Sequence, residues 1–321
     1  MGSVPIGASW NKQNNAMSEA KKQHYVPQFY LRNFLNHQNG IWAFDKVTKK
    51  SFLTNTKAIA NEPFFYEQNS DLDKEGYQSV EKALGVAEQT FAPELDKLLQ
   101  GLKQPHHSVI SMKTKEITSQ YLTMQIFRTK EYRKEMSDVF DAMRSSFLTK
   151  EWFNEGQIKQ LGFNDNYENA RVMSIGHLSS DHTLNVTMVN RLQSHIWIIF
   201  KNLTDEAIYT SDNPVVRKAW INRPGRSDSG WGSKGIEINF PLSSEYVLTL
   251  YERSHFKVME RFENSLICID DPQNIIYLNA LQVSNSYRQI FCIHDHFDLA
   301  NEMVTTHPDL RSVNRRRVDT D

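Results

Sequence analysis

The spacing of apolar residues changes character at Ser194, and that change decides the fold class. Upstream, Val80, Leu84, Ala87, Phe91, Leu95, Leu98 and Leu99 recur at intervals of three and four, which predicts an amphipathic helix over Ser79–Gln100. A longer helix, broken once, is expected from Thr114 to about Lys150, followed by shorter ones over Glu151–Gln160 and Tyr167–Ser174. Downstream, the apolar run Ile196–Phe200 predicts a buried strand within Ser194–Lys201. Further strands are expected at Ala207–Thr210, at Ile236–Phe240 with its alternating pattern, at Tyr246–Tyr251 and at Gln289–Ile293, with a helix over Asn274–Tyr287. Near the start, Pro27 suits the first position of a helix, and Ile41–Phe44 and Ser51–Leu53 flank a polar tip as a β-hairpin would. An N-terminal segment with a hairpin, a central helical block, then mixed strands and helices make an α+β protein. The expected organisation is one domain over residues 21–306, between a disordered extension at 1–20 and a flexible tail at 307–321 that carries Arg315-Arg316-Arg317.

Charge excludes one class of function. Lys plus Arg is 37 against 38 for Asp plus Glu, a net charge of −1, so the chain is not a basic nucleic-acid coat, although a local basic cleft is compatible with that balance. Gly 13 and Pro 10 in 321 residues is a low count of turn formers and argues against an all-β protein built of tight hairpins. The two isolated cysteines, Cys268 and Cys292, read as reduced core residues rather than a disulfide framework. No apolar run approaches the roughly 18 residues of a membrane span, and no basic-then-apolar leader opens the chain, so a cytoplasmic protein with no membrane contact is expected. The sequence contains no GxxxxGK[ST] or GxSxG motif.

The long helix carries an anomaly. At 100° per residue, Ile117, Tyr121, Met124, Gln125, Arg128 and Tyr132 fall in one stripe, with Arg128 near its middle. A guanidinium on an apolar face is buried and needs an acceptor. It is either a structural ion pair tying helices together or a clamp aimed into a cleft that holds an anion. His24, just before the Pro27 helix, is placed to act as general acid or base beside a helix N-terminus, or to cap that helix. Pro214 holds Asn213 extended, which puts Asp212 at a strand end. There Asp212 is the acceptor for Arg128, a metal ligand, a general base, or the centre of an Asx-turn.

Four separated strings carry a resemblance. His24-Tyr25-Val26-Pro27-Gln28-Phe29-Tyr30-Leu31-Arg32-Asn33-Phe34, Gln125-x-x-Arg128, and Ser211-Asp212-Asn213-Pro214-Val215 followed by Phe240-Pro241-Leu242-Ser243 resemble the bacterial family catalogued as domain of unknown function 4238, over roughly residues 22–293. The resemblance groups His24, Gln125, Arg128, Asp212 and Asn213, with Asn279 and Gln282 as looser associates, and supplies no reaction.

From those residue types we expect a phosphodiester hydrolase, a nuclease-like effector of a bacterial defence or toxin system. His24 would be the acid/base, Arg128 the phosphate clamp, Asp212 the base or metal ligand, and Gln125 and Asn213 the substrate-binding positioners. A divalent metal is compatible with this set, and nucleic acid or a nucleotide is the matching partner. The alternatives are a non-catalytic binding or scaffold protein in which His24, Arg128 and Asp212 form a structural polar network, and a sensor of a small anion or nucleotide. Lesser candidates are His294-x-His296, short of a third metal ligand, and His106-His107 in a loop. Glu81 and Glu88, two turns apart on one helix face, suit a metal or an ion-paired face. Asp212 with Glu237-x-Asn239 resembles a nuclease D…ExK pattern but has asparagine where lysine belongs.

Overall fold

A computed structural model describes residues 22–67, 79–104, 110–163, 165–179, 182–223 and 228–318. The N-terminal extension and His106-His107 lie outside these residues. The expected α+β arrangement is present. In chain order come β1 (Lys22–His24), α1 (Gln28–Leu31), the hairpin β2 (Ile41–Asp45) and β3 (Lys50–Thr54), and β4 (Asn61–Pro63). The helical block is α2 (Ser79–Gly101), α3 (Met112–Phe127), α4 (Lys130–Thr149), α5 (Glu155–Gln160), α6 (Asn166–Ser179) and α7 (His182–Ser194). The last third holds β5 (Ile196–Asn202), β6 (Thr210–Ser211), β7 (Val216–Ala219), β8 (Ile236–Pro241), β9 (Tyr246–Tyr251), β10 (Leu266–Ile269), α8 (Pro272–Asn285), β11 (Gln289–Cys292) and α9 (Asp298–Thr306). No described helix is long and apolar enough to cross a membrane.

Local chemistry sets several boundaries. Pro27 is the extended cap before α1 rather than its first residue, and α1 lasts a single turn. The long helix breaks at Arg128–Thr129. Thr129 turns extended, at ψ 156°, and its hydroxyl accepts from the Tyr132 N–H, so one residue ends α3 and caps α4. Asp271 caps α8, and Pro272 fills the first turn, where a missing N–H costs nothing.

Two larger sheets organise the chain. One has the order β3-β2-β11-β6, all antiparallel. The other is β10-β5-β9-β8-β7, antiparallel except for β10 beside β5. In the five-stranded sheet, Trp197, Ile199, Ile236, Ile238, Phe240, Leu248 and Leu250 join the main apolar core with residues of α2, α3 and α7. Strand side chains alternate, so the intervening Glu237, Asn239, Thr249 and Tyr251 share the opposite face. That face lies beneath α8. Every residue of β8 is therefore buried, although its alternation is the pattern of a half-exposed strand.

Three expectations are corrected. Ala207–Thr210 is a strand only at Thr210, because the Asn279 amide bonds the Tyr209 N–H and the Ala207 carbonyl, each at 2.8 Å, where a neighbouring strand would have done so. Cys268 is exposed while Cys292 is buried, because β10 is an edge strand and β11 lies between β2 and β6. The C-terminal residues are not a free tail as far as Arg317: Arg315 and Arg317 both pair with the buried Glu131 carboxylate, at 3.3 and 2.8 Å.

Candidate functional site

The structure joins His24 to Arg128 and sets Asp212 apart from both. Arg128 leaves the α3–α4 break and is 1% exposed. Its Nη1 donates to Glu88 Oε1 at 2.7 Å, its Nη2 to the His24 carbonyl at 2.5 Å and its Nε to the Tyr66 hydroxyl at 3.2 Å. Burial works against the charge, but Tyr66 and Glu88 more than offset it, so the guanidinium pKa is raised. Gln125, one turn earlier, donates to the Tyr25 carbonyl at 2.9 Å. Together these two side chains fasten the 24–25 backbone to the helical block.

His24 contributes its backbone to this network. Burial lowers its ring pKa below the usual 6.5, and Nε2 is buried without a partner. Nearby on α2, burial pushes the Glu81 carboxyl up to about 7, opposed by the charge of Arg128 and reinforced by Glu88 and Glu67. Glu88 is thus the acceptor that Arg128 required, which settles Glu88 as an ion-paired residue.

Asp212 is not the partner of Arg128. It is 1% exposed, and its carboxylate accepts the backbone N–H groups of Tyr287, Arg288 and Gln289, each at 2.8 Å. Burial raises its pKa, while the N–H of Gln289 and the charge of Lys46 act the other way. In this way Asp212 closes the turn between α8 and β11. Asn213 donates to the Asn285 carbonyl at 2.9 Å, Ser211 bonds Gln282 at 2.7 Å, and Gln282 donates to the Pro214 carbonyl at 3.0 Å. The SDNP segment and α8 are therefore latched by side-chain amides. Of the five grouped residues, Asn213 borders a cavity of about 150 Å³ shared with Glu131, Arg217 and Arg317.

A larger recess lies elsewhere, between the polar face of the five-stranded sheet, α8 and the 3₁₀ turn Lys257–Phe262. It is a cavity of about 550 Å³. Glu237 and Thr249 form its floor, each at most 2% exposed, with Asn239 beside them on the same sheet face. Glu237 accepts from the Trp220 indole at 2.7 Å, the Asn239 amide at 2.8 Å and the Tyr277 hydroxyl at 3.2 Å to each carboxylate oxygen. Thr249 in turn donates to Asn239 at 2.7 Å. The walls are aromatic. Tyr251 and Phe256 have ring centroids 4.9 Å apart, Trp220 and Phe256 6.3 Å, and Trp220 and Tyr277 6.4 Å. Burial, and after it the charge of Glu237, raises both the Tyr251 and Tyr277 phenols, so both stay protonated. Trp220, 54% exposed, and Val258 stand at the rim with the Cys268 thiol.

Sequence reasoning passed over this recess. Its trace is the register of Glu237-x-Asn239 on β8 against Thr249-x-Tyr251 on β9, which stacks four polar side chains on one face. Among the described residues no group of three His, Cys, Asp or Glu could hold a metal, and His294 and His296 sit with rings 5.6 Å apart and no third ligand.

No curated protein and no solved structure matches this chain. A family model described as "Protein of unknown function (DUF4238)" matches residues 22–295. The match takes in the HxxPxxYLxxF segment, the Gln125–Arg128 turn and the SDNP latch, and by it the chain belongs to the DUF4238 family.

Proposed function

We propose that this protein binds a small organic molecule between the five-stranded sheet and α8, and that its His24–Arg128–Asp212 group is architectural. A phosphodiester hydrolase needs a guanidinium and a carboxylate that can reach substrate. Arg128 and Asp212 are instead buried and spend their polar atoms on the chain itself. The single observation that carries the binding reading is the row Glu237, Asn239 and Thr249, at most 2% exposed beside an aromatic-walled hollow of about 550 Å³. Ligand sites have this character: roughly 300–1,000 Å³, mostly apolar, with a few fixed polar groups that orient the guest.

The test uses the exposed thiol at the rim. Cys292 is buried, so a bulky neutral maleimide directed at Cys268 modifies the mouth of the recess. A neutral solvatochromic dye should bind the untreated protein saturably, at one per chain, and lose that binding once Cys268 carries the bulky group. Absence of saturable binding, or equal binding after the block, would overturn the reading.

A further inference from the structure

We infer, resting on the reading that the recess under α8 is a ligand site, that its ligand carries an organic cation: an alkylated or quaternary ammonium group. The inference begins with charge. Glu237 is buried, and its donors are an indole, an amide and a phenol, all of them neutral. Among the described residues it has no ion-pair partner. Lys218 faces it in register on the edge strand β7, yet is exposed and makes no ion pair with it. A carboxylate kept from water is normally paired, because neutral donors recover only part of its lost hydration. The counter-charge that the chain does not supply can come from a guest in the hollow.

The walls specify what kind of cation. Trp220, Tyr251, Phe256 and Tyr277 line the hollow, and the negative quadrupole of an aromatic face attracts a weakly hydrated positive group. The chain's own cations stack on other rings: Arg133 on Phe65, Arg217 on Trp231 and Lys115 on Trp197, for example. Among the described residues no lysine or arginine lies over any of the four rings of the recess. A metal ion is a poor fit, because it wants several oxygen or nitrogen ligands and the recess concentrates carbon around one buried carboxylate, with Asp270 exposed. An anion fits worse. No lysine, arginine or histidine lines the cavity, whereas Glu237 and Asp270 both do. A phosphate-bearing guest would meet a field of the wrong sign. An alkylammonium group satisfies both features: its charge answers Glu237, and its methyl surface answers the rings.

The decisive comparison changes charge at constant shape. Tetramethylammonium, choline and benzyltrimethylammonium are each set against their carbon isosteres neopentane, 3,3-dimethylbutan-1-ol and neopentylbenzene. Displacement of the neutral dye and protection of Cys268 from maleimide are read at fixed ionic strength. At least one cation should outcompete its isostere by about tenfold or more. That preference should shrink towards unity in Glu237→Gln. The wild-type comparison needs no variant, so a Glu237→Gln protein that fails to fold leaves the test intact. If the dye binds but every isostere competes as well as its cation, or no pair competes, the cation inference falls and the pocket reading stands. If the dye does not bind at all, both fall.

Discussion

Arg128 and Glu237 are both buried charges, and their surroundings could hardly differ more. Arg128 has a carboxylate, a phenol and a main-chain carbonyl on its three nitrogens. Those partners come from α2, from the turn after β4 and from β1, so the charge is spent joining distant parts of the chain. Glu237 has donors on both oxygens, but none is a cation, and it borders a hollow. One charge is completed by the fold, and the other is left to be completed from outside. The difference separates a group kept for architecture from a group kept for recognition, since a buried ion costs free energy unless something answers it.

The comparison breaks most visibly at Arg128. Arg128→Ala leaves the Glu88 carboxylate, the Tyr66 hydroxyl and the His24 carbonyl without their donor. Removing one member of a buried pair costs roughly 3–5 kcal/mol, a large share of the stability of an ordinary domain. Urea unfolding should show a loss of that size. A variant that folds with wild-type stability would return Arg128 to the list of groups held in place for chemistry.

The architecture was legible wherever period and capping agreed, and illegible wherever tertiary context took over. The seven apolar positions of α2 announce a helix, and a break somewhere in the 114–150 helix was readable. Its place at Thr129 depends on a hydroxyl cap that few sequence rules single out. β10 was missed because four residues gain their order only by pairing with β5. The burial of Arg128 could be read from its stripe. Its acceptor could not: Asp212 was the candidate offered, whereas the pairing with Glu88 lies 40 residues away and exists only once α2 packs beside the α3–α4 break. The recess was missed for the opposite reason. Its polar row was visible as alternation, but alternation ordinarily means a wet face. Only α8 packing over that face turns Glu237 and Thr249 into the floor of a cavity.

A second test concerns pH and the acid beside Arg128. In the folded protein Glu81 keeps its proton to about pH 7, against an ordinary value of 4.5. The native state therefore binds more protons than the unfolded chain between those values. The stability that Glu81 contributes is complete below pH 4.5 and is lost as pH rises through 7. His24 works the other way: its lowered pKa makes stability fall as pH drops below 6.5. Burial drives the effect, and Arg128, Glu88 and Glu67, which face Glu81, adjust its size. Because Glu81 is only partly buried, the effect should be smaller than that of deleting Arg128. Urea titrations at pH 5 and pH 8 should show Glu81→Gln gaining on the wild type at the higher pH. A difference that stays constant across this range would remove Glu81 from the charged network.

The smallest effect is expected at Glu237, and its smallness is what sharpens the contrast. Glu237→Gln replaces a buried carboxylate by a neutral amide of nearly the same shape. The Trp220 indole and the Asn239 amide each donate to a different oxygen, so the new N–H meets one of them. Facing Asn239 it is accommodated, because that amide can flip to accept it and the Thr249 hydroxyl can accept in turn, while Tyr277 keeps its bond to the remaining oxygen. The lost hydrogen bonding and the relieved desolvation oppose each other, so the net change should stay within about 1 kcal/mol of zero. Deleting Arg128 offers no such cancellation, because it strands a partner of opposite charge, whereas neutralising Glu237 strands none. Unfolding of the ligand-free Glu237→Gln protein measures this directly. A loss comparable to that of Arg128→Ala would mean that Glu237 has an internal counter-charge after all, and the two buried charges would then be alike.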